Sequence, residues 1–447
     1  MLWKKLAGAG GQGGAAPTGI SFVGSVTDTV ASGGTTSVTL SGLSLQENDV
    51  LFLLTASDDN LYGSNRKPVV DPVDNPGWFG GFINTTDAAP DMQVWCHRCG
   101  SSPPTSVTVH GPSTTSDSTV IVQAFRGVDR TIFDAHASTS GWTSTSGTTI
   151  TPPSITTNTN GAWNLIFTAL DDDDTTIDSW SSGYTNTASV NTGNASTSVG
   201  GTIGMASKEI TSAGTESPGT ITYGSSDTSK ATCIALKPDQ SPAADSITEV
   251  GRVYYNSSPG STVYNLPSGL QEDDYVLIFY TAYDGLTTPM NSSGWTTLVS
   301  STLYAYWYGK VMGATPDTTV DLDDSTVEGS ICIAAFRGVD TTTPQDVAIN
   351  YSSSETPVAP SITTATNNAL VFRIFVEYGE AHPVGVWPDA YHGHGMVIGN
   401  HLNATSEISF SLCYKQQDTA GSTGTATFVE ADDSEYTEAA TMALRPA

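Results

Sequence analysis

The sequence predicts an all-β protein made of two tandem homologous β-sandwich domains, jelly-roll or Ig-like, behind a short extended N-terminal arm. Three observations predict it. The 447 residues include 44 Gly and 23 Pro with only 14% charged side chains, the balance of short strands joined by many turns. Apolar residues alternate with polar ones in short segments rich in β-branched and aromatic side chains. Finally, the chain repeats itself.

The repeat sets the domain boundaries. FRGVD occurs at 125–129 and again at 336–340, each time after an apolar strand, TVIVQA and then SICIAA. PSITT at 153–157 returns at 360–364, and KATCIALKP (230–238) returns as EAATMALRP (438–446). LQENDVLFLLTA (45–56) aligns with LQEDDYVLIFYTA (270–282) after one gap, and Gly77-Trp78 aligns with Gly294-Trp295. Copy one spans 18–238 and copy two 246–447, with the Pro/Asp/Ala stretch at 239–245 as an exposed linker.

Taken in order, residues 1–17 (MLWKKLAGAGGQGGAAP) lack the apolar segment of a signal peptide and read as an uncleaved arm. Leu2, Trp3 and Leu6 flank Lys4 and Lys5, and the glycines after them suit a backbone threading a narrow groove. These five residues are therefore candidates for an anchor to a larger assembly. The strands of copy one are expected at 20–26, 36–40, 49–56, 92–98, 106–109, 119–126, 163–170, 201–209, 219–223 and 230–237, and nearly all recur in copy two. TTVDLDD (318–324) shows the pattern, with Val320 and Leu322 facing the core and Thr319, Asp321 and Asp323 facing water.

Composition narrows the partners. With 16 Lys+Arg against 45 Asp+Glu, the formal charge of −29 repels nucleic-acid backbones and anionic headgroups. The apolar run near 50–54 is far too short to span a bilayer as a helix. Five cysteines cannot all pair, and the repeat sets Cys332 against Ile121, Cys99 against Val311 and Cys413 against Ala206, so buried free thiols are expected. CHRC at 96–99 lacks a second pair to complete a zinc site, and its sulfurs would leave a strand on opposite faces.

A few residues invite a function. Arg126 with Asp129, and Arg337 with Asp340, are placed to close their glycine turns by charged hydrogen bonds. Trp180 and Tyr184, repeated as Trp387 and Tyr391, follow a core strand and either stack on sugar rings or plug one end of a sandwich. Asp171, Asp172, Asp173 and Asp174 form an acidic run whose oxygens suit calcium, although no EF-hand loop is present and a solvated cluster explains them too. His382, His392, His394 and His401 crowd one loop of copy two between glycines that give metal ligands no rigid platform. No nucleophile elbow, zincin helix motif or phosphate-binding glycine loop occurs, so the expectation is a protein without enzymatic activity or an organic cofactor.

The order of features in each copy resembles a module common in structural proteins of tailed bacteriophages, especially marine ones. The features are an opening strand such as ISFVGS (20–25), the strand ENDVLFLL (47–54) or EDDYVLIF (272–279), a Gly-Trp, an aromatic strand such as LYAYWYGK (303–310), an AFRGVD strand end and a PSITT segment. Similar modules appear in predicted bacterial surface proteins. The resemblance implies a non-enzymatic tail-fibre, decoration or other accessory role on a virion surface. Its partners would be capsid or tail proteins in a symmetric assembly of many copies, with a host glycan as a further contact. The alternative is a bacterial surface adhesin or carbohydrate-binding module.

Overall fold

A computed structural model describes residues 19–447 other than 32, 58–69, 71–74, 76–77, 84–89, 101, 112–116, 137–142, 172–174, 193–200, 240–246, 258–261, 283–289, 301–304, 323–328, 355–357, 380–406, 418 and 428–436. Among the described residues the regular structure is all strand, so the all-β expectation holds.

Copy one begins with β1 (Ser21–Val30), β2 (Thr35–Thr39), β3 (Val50–Ser57), β4 (Trp78–Ile83), β5 (Asp91–Arg98), β6 (Ser106–His110) and β7 (Ser118–Arg126). Five of these form one antiparallel sheet in the order β1-β7-β3-β5-β4, and β2 pairs separately with β6. First pairs with last, second with sixth and third with fifth, which is the nested pairing of a long antiparallel ribbon rolled on itself. That is the jelly-roll side of the expectation.

The same order then recurs within copy one. β8 (Val128–His136), β9 (Thr143–Ile150), β10 (Ile155–Thr156), β11 (Ala162–Leu170), β12 (Ile177–Ser179), β13 (Thr185–Asn191), β14 (Thr202–Ile210), β15 (Thr215–Glu216) and β16 (Ile221–Pro238) make the second unit. Here β16 is the last strand, pairing with β8 and β9 on one side and with β11 on the other; β11 pairs β14, and β14 pairs β13. The sixth strand is fused into the start of β16, where Ile221 meets Ile150 and Thr222 meets Thr149.

Copy two repeats both units. Its first holds β17 (Thr248–Ser257), β18 (Val263–Asn265), β19 (Tyr275–Ala282), β20 (Thr296–Ser300), β21 (Ala305–Val311), β22 (Thr319–Asp321) and β23 (Gly329–Arg337), ordered β17-β23-β19-β21-β20 with β18 on β22. The other holds β24 (Gln345–Ser354), β25 (Val358–Ala359), β26 (Ala369–Gly379), β27 (Glu407–Gln417), β28 (Ala426–Thr427) and β29 (Thr437–Leu444), ordered β24-β29-β26-β27 with β25 on β28. The structure thus divides each copy of about 210 residues into two units of the same strand order, a half-length repeat that the sequence comparison does not resolve.

Within each copy the two large sheets pack face to face, β13 and β14 against β1, β7 and β3, and β27 against β23 and β19. Each large sheet is therefore covered twice. Val50, Phe52, Leu54 and Ala56 of β3 face the second unit, while Leu51 and Leu53 face the β2-β6 pair. This double burial explains why VLFLLTAS reads as an unbroken apolar run where a half-exposed strand would alternate. Alternation survives in the short covering strands, as in β22, where Val320 is buried and Thr319 exposed.

Aromatic rings fill the space between paired sheets. Phe52 meets Phe125, Phe133 and Phe167 at centroid distances of 6.3, 5.9 and 6.1 Å. In copy two Phe372 meets Phe336 at 5.3 Å and Tyr414 at 5.4 Å. Such contacts add about 0.5–1.5 kcal/mol each to the burial of the rings.

Candidate functional site

The repeated arginines are held by partners far away in sequence. Arg126 Nε and Nη2 donate to Asp49 Oδ1 and Oδ2, both at 2.8 Å, and Nη2 also reaches the Ser44 carbonyl at 3.0 Å. Arg337 repeats the fork on Asp274 at 2.8 Å twice, with the Gly269 carbonyl at 3.3 Å. Each aspartate also accepts the backbone N–H of Gln46 or Gln271 at 2.7 Å. The result is a clasp between the end of the last strand and the turn leading into the third.

The turn-closing pairing with Asp129 and Asp340 is therefore corrected. Gly127 and Gly338, at φ 76° and 79°, swing the chain away before those aspartates. Asp129 lies 3.8 Å from Lys237, and its carbonyl accepts from Arg98. Asp340 caps its own turn, accepting the N–H groups of Thr342 and Thr343 at 2.8 and 3.1 Å, and these bonds hold its carboxyl below the usual range.

Tyr184 is 7% exposed, and its hydroxyl accepts from Asn164 Nδ2 at 2.7 Å and donates to Glu216 at 3.4 Å. Lys208 pairs with the same glutamate at 2.7 Å and sits 5.6 Å from the ring centroid. Burial pushes the phenol well above its ordinary pKa. Trp180 is half-buried over Gly204, where an added Cβ would fall 2.7 Å from the indole. Both rings are thus packed against the second unit, with Asp178 exposed nearby and hydrogen-bonded to Thr176. Trp387 and Tyr391 lie outside the described residues, as do His382, His392, His394 and His401.

Asp171 is half-buried at the end of β11, its N–H donating to the Thr228 carbonyl at 2.9 Å. Asp172, Asp173 and Asp174 are outside the described residues, as are Leu2, Trp3, Lys4, Lys5 and Leu6. Among the described residues no group of three or more His, Cys, Asp or Glu is arranged to hold a metal ion, and no helix is long and apolar enough to cross a membrane.

All five cysteines are buried, and none forms a disulfide. Cys332 and Cys413 occupy the same places as Ile121 and Ala206, opposite Phe279/Leu54 and Arg373/Ile166. Cys99 corresponds to Met312, one position from the expected Val311, because both donate their N–H to the aspartate of the clasp. Cys96 and Cys99 lie in different apolar clusters on opposite faces of their sheet. Burial raises every thiol whose shift is resolved, Cys99 to about 12 and Cys96, Cys233 and Cys413 further. A thiol reagent at pH 8 is expected to modify none of the five in the native protein and all five in denaturant; rapid native labelling would contradict this burial.

Two features escape a sequence reading. Arg373 is fully buried between β26 and the β25-β28 pair. The signal for it is a charge inside the apolar run ALVFRIFV, where the matching position of copy one is Ile166. The second feature is a cluster of Arg98, Glu249, Arg252 and Tyr414 near the boundary between the copies, in which Arg252 forks onto Glu249 and the Tyr414 hydroxyl donates to the same carboxylate. No family model, curated protein or solved structure matches the chain.

Proposed function

We propose that this chain is a non-enzymatic structural or accessory protein of a tailed bacteriophage virion, present in many copies on capsid or tail. The observation that carries the reading is how the most repeated residues are used. Asp49 with Arg126 and Asp274 with Arg337 lock strand ends, and the repeated aromatics Trp78 and Tyr184 are buried, as are the five cysteines. A chain whose repeated polar residues serve its own rigidity fits a scaffold better than a catalyst. The fourfold use of one rolled unit also suits a part that spans a fixed distance on a surface.

Residues 1–17 remain the proposed attachment point, and calcium at Asp171–Asp174 a proposed accessory ligand. An adhesin or carbohydrate-binding module is the second reading, favoured by the half-buried Trp180 beside exposed Asp178. Quantitative mass spectrometry of purified particles tests the first: the chain should appear at a fixed whole-number ratio to the major capsid or tail protein. Its absence from particles, with glycan binding that Trp180→Ala abolishes, would replace the first reading by the second.

A further inference from the structure

The polar cluster noted above stands where apolar packing alone would be simpler, and its members come from three of the four units. Glu249 and Arg252 are on β17, Tyr414 is on β27, and Arg98 ends β5 in copy one. The side chains of Arg252 and Glu249 are only 5% and 16% exposed. Arg252 also lies over the Tyr414 ring, 6.0 Å from its centroid. Around them one continuous cluster of buried side chains runs from copy one, including Cys96 and Val128, into copy two, including Ile247, Leu412 and Tyr414. Arg98 is tied into copy one through the carbonyls of Asn48, Val128 and Asp129.

We propose that this cluster is a fixed joint between the two copies, with the end of β5 as one surface and the Glu249–Arg252–Tyr414 face of copy two as its partner. Charges balance across it. Arg98 and Arg252 stand against Glu249 and Asp129, so neither surface presents to the other a charge that goes unanswered. Glu249 acts on Arg98 across the boundary, which places the opposing charges within electrostatic reach. Burial near Glu249 pushes the Tyr414 phenol well above its ordinary pKa, so it stays protonated and able to donate. Covalent connection through the linker brings the surfaces together at high effective concentration, so even a small joint stays closed.

The two copies then behave as one rigid body, and the linker serves only as a covalent tether. Small-angle X-ray scattering from the full chain tests this. A single arrangement of the copies should fit the native profile, and Glu249→Ala with Tyr414→Phe should raise the radius of gyration and require several arrangements, with the circular dichroism unchanged. If Glu249→Ala lowers the strand signal, Tyr414→Phe alone decides, because it deletes one hydroxyl and keeps the ring. A native profile that already requires many arrangements overturns the joint, as does a variant profile that superposes on the native one.

Discussion

Replacing Arg373 by leucine is expected to destabilise the last unit by about 1–3 kcal/mol, the range for leaving buried hydrogen-bond acceptors unsatisfied. The side chain is fully buried, and its donors satisfy several acceptors at once. Nη1 donates to the Pro360 carbonyl at 2.6 Å and to the Thr441 hydroxyl; Nη2 donates to the Thr423 carbonyl at 3.2 Å and the Gly424 carbonyl at 2.5 Å. Leucine restores apolar volume but donates nothing, so the carbonyls beside β25 and β28 lose the guanidinium, while the Thr441 hydroxyl still donates to Pro360 and the Thr423 hydroxyl to Gly424. The urea midpoint of the last unit should fall, and amide exchange across 358–427 should accelerate. A loss below about 1 kcal/mol would mean that water replaces the guanidinium there.

The second large effect is expected at the clasps. Arg126→Ala leaves the Asp49 carboxylate, which is fully buried, without its charged partner, while the lost arginine side chain is 37% exposed. A wholly buried pair broken this way costs about 3–5 kcal/mol, and water reaching the vacated surface side reduces that to about 2–3 kcal/mol. Arg337→Ala should match it, since the Asp274 side chain is 1% exposed. Arg126→Lys should recover only part of the loss, because one ammonium cannot reproduce two parallel bonds. Equal stability of the Lys and Arg proteins in a urea titration would show that charge alone, and not the fork, holds the strand end.

Much of this architecture is written locally in the chain. Residues 49–56, 119–126 and 163–170 were expected as strands and form Val50–Ser57, Ser118–Arg126 and Ala162–Leu170, because strands with two covered faces carry the strongest apolar signal. β9 (TSTSGTTI) and β13 (TNTASVN) escape that reading, since they are Thr/Ser-rich outer strands whose pairing is set by neighbours and not by burial. The half-length repeat is hidden for a related reason. ENDVLFLL and GAWNLIFTAL share a burial pattern but few residues, and the second unit fuses its sixth and last strands into β16. The clasp was misassigned because Asp129 is the near neighbour of Arg126, whereas Asp49 lies 77 residues away and is joined to it only through the sheet. At the glycan candidates the sequence shows aromatic side chains after a core strand, but not that the Tyr184 ring turns inward to Asn164.

Because first and last strands lie side by side, each unit's two ends meet. Ser21 is opposite Arg126, Val128 opposite Pro238, Thr248 opposite Arg337 and Gln345 opposite Leu444. Tension applied through the chain would therefore load these strand pairs like the two tabs of a zipper, one hydrogen bond at a time, and not in shear across the whole ladder. In each of the two units that carry a clasp, the arginine sits beside the first tooth, where such peeling would begin.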